Sequence, residues 1–140
     1  MQSPQEIEAR MESRYRVFLI LWVAMLISIL LLLGLALATT SASAAPNPTL
    51  SFGVLGTAFT MVVLSFLIKQ RTVQRAIEKH DVASLQSGYI VSYALCESAA
   101  LFGLFDHFVT GSKYSYFSFA LAVAGMLLHF PKKDHVRSTI

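Results

Sequence analysis

Val17 to Thr39 is a run of 23 residues without a single charged side chain. As a helix it would extend roughly 35 Å, enough to cross the hydrocarbon of a bilayer with some tilt. The composition agrees: 55% of the chain is hydrophobic, only 14% is charged and the mean hydropathy is +0.60, values that exclude an ordinary water-soluble globule. The sequence that follows the run, Ser41 to Pro46, has the small-x-small pattern of a signal-peptidase site. The run, however, exceeds the roughly 7–15 apolar residues of a signal core, and Glu6, Glu8 and Glu12 stand among the leading arginines, so an uncleaved span is expected.

Three further apolar stretches follow. Leu50 to Ile68 is bounded by Lys69 and preceded by Pro46 and Pro48, which stop a helix from continuing through the loop. Tyr89 to Thr110 forms the third, with Asp81 placed to cap a helix that starts earlier. After a turn at Gly111–Lys113, Tyr114 to Phe130 forms the fourth and ends at Pro131, with Tyr114, Tyr116 and Phe117 suited to an interfacial belt. The predicted fold is therefore all-α, a single four-helix transmembrane domain over residues 1–140 with spans at 17–39, 50–68, 89–110 and 114–130.

Orientation follows from the cations. Of the 11 lysines and arginines, Arg10, Arg14 and Arg16 lie in the N-terminal tail, Lys69, Arg71, Arg75 and Lys79 in the middle loop, and Lys132, Lys133 and Arg137 in the C-terminal tail, leaving Lys113 alone elsewhere. The positive-inside rule places both termini and the middle loop in the cytoplasm, as in a bacterial inner-membrane protein. This distribution also accounts for the net charge of +3 and the pI of 9.2, so no basic patch is left to argue for nucleic acid. The loop at 69–88 has two readings. With Val73 and Ile77 one turn apart it suits an amphipathic helix resting on headgroups, and it equally suits a solvated extension of the second or third span.

An ionisable group at mid-bilayer is costly and is a functional candidate by default. Glu97 lies inside its apolar stretch, 8 residues after Tyr89 and 13 before Thr110, where hydrocarbon favours the uncharged acid over the carboxylate. It is expected to exchange a proton when water or a cation reaches it. Tyr93, one turn earlier, is placed to hydrogen-bond it, and Ser98 is its neighbour in sequence; either contact could be purely structural. Asp106 and His107 are expected as a hydrated polar pair near the outer boundary, reaching toward Lys113 or serving as a proton entry port. Asp106 falls on the opposite side of its helix from Glu97, so the two acids cannot work as a general acid/base pair.

The stretch from Ala94 to Leu104, ALCESAALFGL, resembles the carboxylate helix of the proteolipid (c) subunit of rotary ATP synthases. Glu97, Phe102, Gly103 and Leu104 carry the motif, and the preceding span contributes Gly53 and Gly56 ahead of a polar loop that holds Gln74 and Arg75. The resemblance covers about 60 residues, of which the eight from Glu97 to Leu104 are specific. It implies a proton- or sodium-binding carboxylate at Glu97. The family's loop proline is missing, the glycine pattern is sparse, and spans one and four are additional. Apart from any family, Ala94, Ala100 and Gly103 with Gly53 and Gly56 are small residues of the kind that let helices associate in lipid.

No nucleophile triad, phosphate-binding loop or metal-ligand spacing is present. His107 and His129 are expected near opposite faces, too far apart to share a haem, and His80 and His135 in solvated segments. The sequence therefore favours a non-enzymatic protein without a cofactor or metal, whose partners are the lipid bilayer and other membrane subunits or further copies of itself. A structural or accessory subunit of a larger membrane complex leads, proton- or sodium-coupled work through Glu97 comes second, and a membrane-embedded enzyme third.

Overall fold

A computed structural model describes residues 3–40 and 47–139; the cleavage-like pattern at 41–46 lies outside them. The described chain is helical, with α1 Pro4–Ala38, α2 Pro48–Lys79, α3 Val82–Thr110, α4 Ser115–Leu128 and a short α5 Lys133–Arg137. Helices α1, α2 and α3 are each long and apolar enough to cross a membrane.

Helix α1 begins well before its apolar run. Ser3 caps it through a reciprocal pair in which the Glu6 N–H donates to Ser3 Oγ and the Ser3 N–H donates to Glu6 Oε2. The intervening segment places Glu6 four residues before Arg10 and Glu12 four before Arg16, spacings that support a polar helix. At 35 residues, α1 runs about 52 Å and so projects beyond the hydrocarbon.

The segment 69–88 is not a separate helix on the headgroups. Helix α2 continues unbroken to Lys79, turns at His80 and Asp81, and α3 starts at Val82. The extension contains neither glycine nor proline, and Val73 and Ala76 are buried along with Leu85 of α3, so tertiary packing holds it helical. His80 takes the left-handed conformation, with φ of 50°. Asp81 caps α3 as expected, accepting from the Ala83 N–H at 3.0 Å and from the Ser84 hydroxyl. The Ser84 hydroxyl bond, foremost, holds the Asp81 carboxyl below its usual pKa.

Helices α2 and α3 form the most extensive contact, an antiparallel hairpin at the centre of the fold; α4 packs chiefly on α3, and α1 lies across α3 and α4. Gly111, in the left-handed region at φ of 61°, closes α3 with its N–H on His107 O. Helix α4 is shorter than the expected 114–130 span. Its 14 residues rise about 21 Å, because Tyr114 forms its N-cap and His129 its C-cap.

Small residues set the helix spacing. A Cβ on Gly103 would lie 3.0 Å from Ser118 Cβ and 3.1 Å from Ser115 O, and one on Gly125 would lie 3.0 Å from Val62 and 3.1 Å from Cys96 Sγ. Ala58, Ala99, Ala100 and Ala122 are fully buried. Within this chain Ala100 and Gly103 lie at helix contacts, and Ala94, Gly53 and Gly56 do not. Ala94 is exposed, and a Cβ on Gly53 or Gly56 would meet nothing within 4 Å. Many large apolar side chains point outward, among them Leu31, Phe52, Phe59, Phe105 and Leu128. Such an exterior is costly in water and compatible with lipid.

Candidate functional site

Polar side chains occupy three levels inside the bundle. In the middle, the Ser28 hydroxyl of α1 donates to Glu97 Oε1 of α3. Ser28 is the lone hydroxyl in the run from Val17 to Ala38, and that isolation was the available sequence signal for a partner to Glu97. Burial explains the pairing: Glu97 is only partly exposed, and an apolar surrounding leaves few alternatives to an interhelical hydrogen bond.

Tyr93 does not bond Glu97. It is buried, and its hydroxyl reaches the His129 carbonyl at 3.5 Å; the side chain faces α4, whereas Glu97 faces α1. Ser98 also turns away, donating to Ala94 O at 2.8 Å beside an apolar groove that includes Met61 and Leu101. Of the three residues expected around the ion, Glu97 pairs with Ser28 of α1, and neither Tyr93 nor Ser98 bonds Glu97.

Asp106 and His107 are not a hydrated pair. Asp106 is 1% exposed and His107 6%, and they serve different junctions. Asp106 Oδ1 accepts from Ser51 Oγ of α2 at 2.9 Å and from Thr110 Oγ1 at 2.8 Å. The Thr110 oxygen in turn accepts from the Ser112 N–H at 3.1 Å, tying the α3–α4 turn to the start of α2. His107 Nε2 lies 3.1 Å from Thr39 O, at the end of α1. These contacts converge because the ends of α1 and α3 and the starts of α2 and α4 meet there, which the sequence of one helix cannot reveal.

Nearer the basic end, His129 is fully buried. Its Nδ1 donates to Gly125 O at 2.6 Å, and Nε2 lies 3.2 Å from Ser65 Oγ. Cys96 Sγ is 3.6 Å from the same hydroxyl, and Trp22 Nε1 donates to Met126 O at 2.7 Å. This cluster was not foreseen; Ser65, Cys96 and His129 are all buried, and their contacts link α2, α3 and the end of α4. At the basic end itself, Tyr89 and His135 Nδ1 are 2.8 Å apart, and the Lys69 ammonium sits 4.9 Å above the Tyr89 ring. His135 is thus docked rather than free in a tail. Burial, followed by the nearby charges of Lys69 and Lys132, pushes its pKa below the ordinary histidine value.

Chemically, Glu97 with Ser28 offers one carboxyl and one hydroxyl, a pair able to hold or pass a proton. Among the described residues, no three His, Cys, Asp or Glu side chains converge as metal ligands would. The fold is an all-helical bundle built on an α2–α3 hairpin, with three helices long and apolar enough to cross a membrane. In comparisons with known proteins, the chain matches no family model, no curated protein and no solved structure.

Proposed function

We propose that the protein is a non-enzymatic structural or accessory subunit of a larger complex in a bacterial cytoplasmic membrane, crossing it four times with both termini inside. The observation that carries this reading is the bare face of α2. Gly53 and Gly56 have open space beside them, and the adjoining Thr57 and Thr60 hydroxyls are turned back onto Gly53 O and Gly56 O at 3.0 and 2.9 Å. Gly56 also lines a groove of about 650 Å³ between α2 and α4, walled by Phe52, Phe59 and Phe117. Small residues with satisfied hydroxyls beside an aromatic-walled groove suit close approach by another transmembrane helix.

Four crossings are supported by the way the helices alternate. Asp106, Thr39 and Ser51 meet at one end, whereas Lys69, Tyr89 and His135 meet at the other with most of the cations. The short α4 would cross with flanking residues at the interfaces. Purification in a mild detergent with identification of bound proteins tests the assignment. A stoichiometric partner that is lost in Gly56→Leu supports it; a discrete homo-oligomeric ring, or a partner-free monomer, overturns it.

The Ser28–Glu97 contact favours a second reading, a proteolipid-like carboxylate that binds a proton or sodium ion. The additional helix α1 lies against this acid, which argues for a fixed rather than a rotating role. Carbodiimide labelling of wild type that disappears in Glu97→Gln, and rises in Ser28→Ala, would support it; equal labelling of wild type and Glu97→Gln would remove it.

A further inference from the structure

At the basic end, the last apolar turn of α2, the link after α4 and the start of α5 surround an open cavity of about 580 Å³. Its walls have two characters. Lys69, Arg71, Lys132 and His135 line it together with the apolar side chains of Phe66, Leu67, Val73 and Leu128. No acid lines it; Asp134, exposed on the tail, acts electrostatically on His135 but is not part of the wall.

Converging cations without a carboxylate repel one another, and Lys69 and Lys132 are close enough to do so. Lys69 is half-buried, and its ammonium lies over the Tyr89 ring, which favours keeping it there. An anion between these groups would convert repulsion into attraction. The depth of the cavity narrows the choice of anion: Lys69 is the first residue past the Leu50–Ile68 apolar run, so its charge sits at the headgroup level of a bilayer. Leu128, 68% exposed, extends the wall on the hydrocarbon side. A bare phosphate would occupy a small part of this volume and leave Phe66 and Leu128 uncovered.

We propose that this cavity binds an anionic glycerophospholipid, its phosphate among Lys69, Arg71 and Lys132 and the upper part of an acyl chain against Phe66 and Leu128. The site lies at the opposite end of α2 from Gly53 and Gly56, and so is independent of the proposed docking face. A lipid seated there would join α2 to the C-terminal tail and neutralise the cations that otherwise strain that junction.

The test uses the full chain, delipidated in a neutral detergent and offered an equal mixture of dioleoyl phosphatidylglycerol and dioleoyl phosphatidylcholine, with bound lipid read by native mass spectrometry. Wild type is expected to retain phosphatidylglycerol preferentially, and Lys69→Gln and Lys132→Gln should each reduce that preference by about fivefold. Arg75→Gln, an exposed cation outside the cavity, should leave it intact. Equal retention of the two lipids by wild type overturns the proposal without recourse to any variant. So does a loss in Arg75→Gln as large as that in Lys69→Gln. Displacement of the lipid by millimolar inorganic phosphate would assign the site to free phosphate and overturn the lipid assignment.

Discussion

Gly103→Ala and Gly56→Ala add the same methyl group to two helices and should shift stability in opposite directions. In a helix interior, alanine is favoured over glycine by about 0.8–1 kcal/mol in aqueous hosts, and this gain applies to both sites. At Gly56 nothing lies within 4 Å of the new atom, so the variant should be more stable than wild type by up to about 1 kcal/mol. At Gly103 the new atom would stand 3.1 Å from Ser115 O, 3.0 Å from Ser118 Cβ and 3.2 Å from Phe119 Cδ2. Carbon atoms prefer about 3.5–4.0 Å, and a backbone carbonyl cannot rotate aside, so α4 must move away from α3 by several tenths of an ångström. Overpacking of this kind costs about 1–3 kcal/mol. Because the propensity gain is common to both variants, their difference isolates the clash and should be about 1–3 kcal/mol in favour of Gly56→Ala. Reversible unfolding by sodium dodecyl sulfate in mixed micelles, followed by far-ultraviolet circular dichroism, measures it. If Gly103→Ala proves as stable as Gly56→Ala, the close α3–α4 approach is wrong.

Two other outcomes follow from the polar ties. Ser51→Ala removes one of the hydroxyls on Asp106 and should lower stability by about 0.5–2 kcal/mol in the same unfolding assay; an unchanged midpoint would show that Asp106 does not join α2 to α3. His135 titrates below the ordinary value of 6.5 because it is buried, with Lys69 and Lys132 nearby. The folded state therefore prefers the neutral ring, which contributes stability above pH 6.5 that is lost as the pH falls through the lower folded-state pKa. The thermal midpoint should drop on acidification more in wild type than in His135→Gln, and identical slopes in the two proteins would contradict the docking of the tail.

The apolar runs were legible because an uninterrupted stretch of uncharged side chains has one economical fate, a helix in lipid, and length alone then sets the spans. The cap at Asp81 was legible for a similarly local reason, since an N-cap bonds within its own first turn. The segment 69–88 was ambiguous because its polar residues fit a surface helix and a hairpin extension equally. The choice depended on Val73 and Ala76 finding the start of α3, a contact invisible in local periodicity.

The functional residues divide along the same line. Glu97 could be singled out from the chain alone, because a lone acid amid apolar residues is costly wherever the helix is placed. Its partner Ser28, 69 positions away, stood out only as the lone hydroxyl of its run, with nothing to pair it with Glu97, and the divergence of Tyr93 toward His129 left no local sign. A helix exposes every side of itself to its own sequence equally; which side meets α1, α2 or α4 is decided by rotation and crossing.

Sequence by itself thus determined the chemistry available at each depth: long apolar helices, cations gathered at one end, and an acid in the middle. Tertiary structure alone decided the pairings. It sealed Asp106 between α2 and α3, buried Gly103 and Gly125 at helix crossings while leaving Gly53 and Gly56 bare, and gathered Lys69, Arg71 and Lys132 around one cavity. The physical reason is that burial cost is a property of a residue and its depth, whereas contact is a property of two surfaces, and the second surface is written elsewhere in the chain.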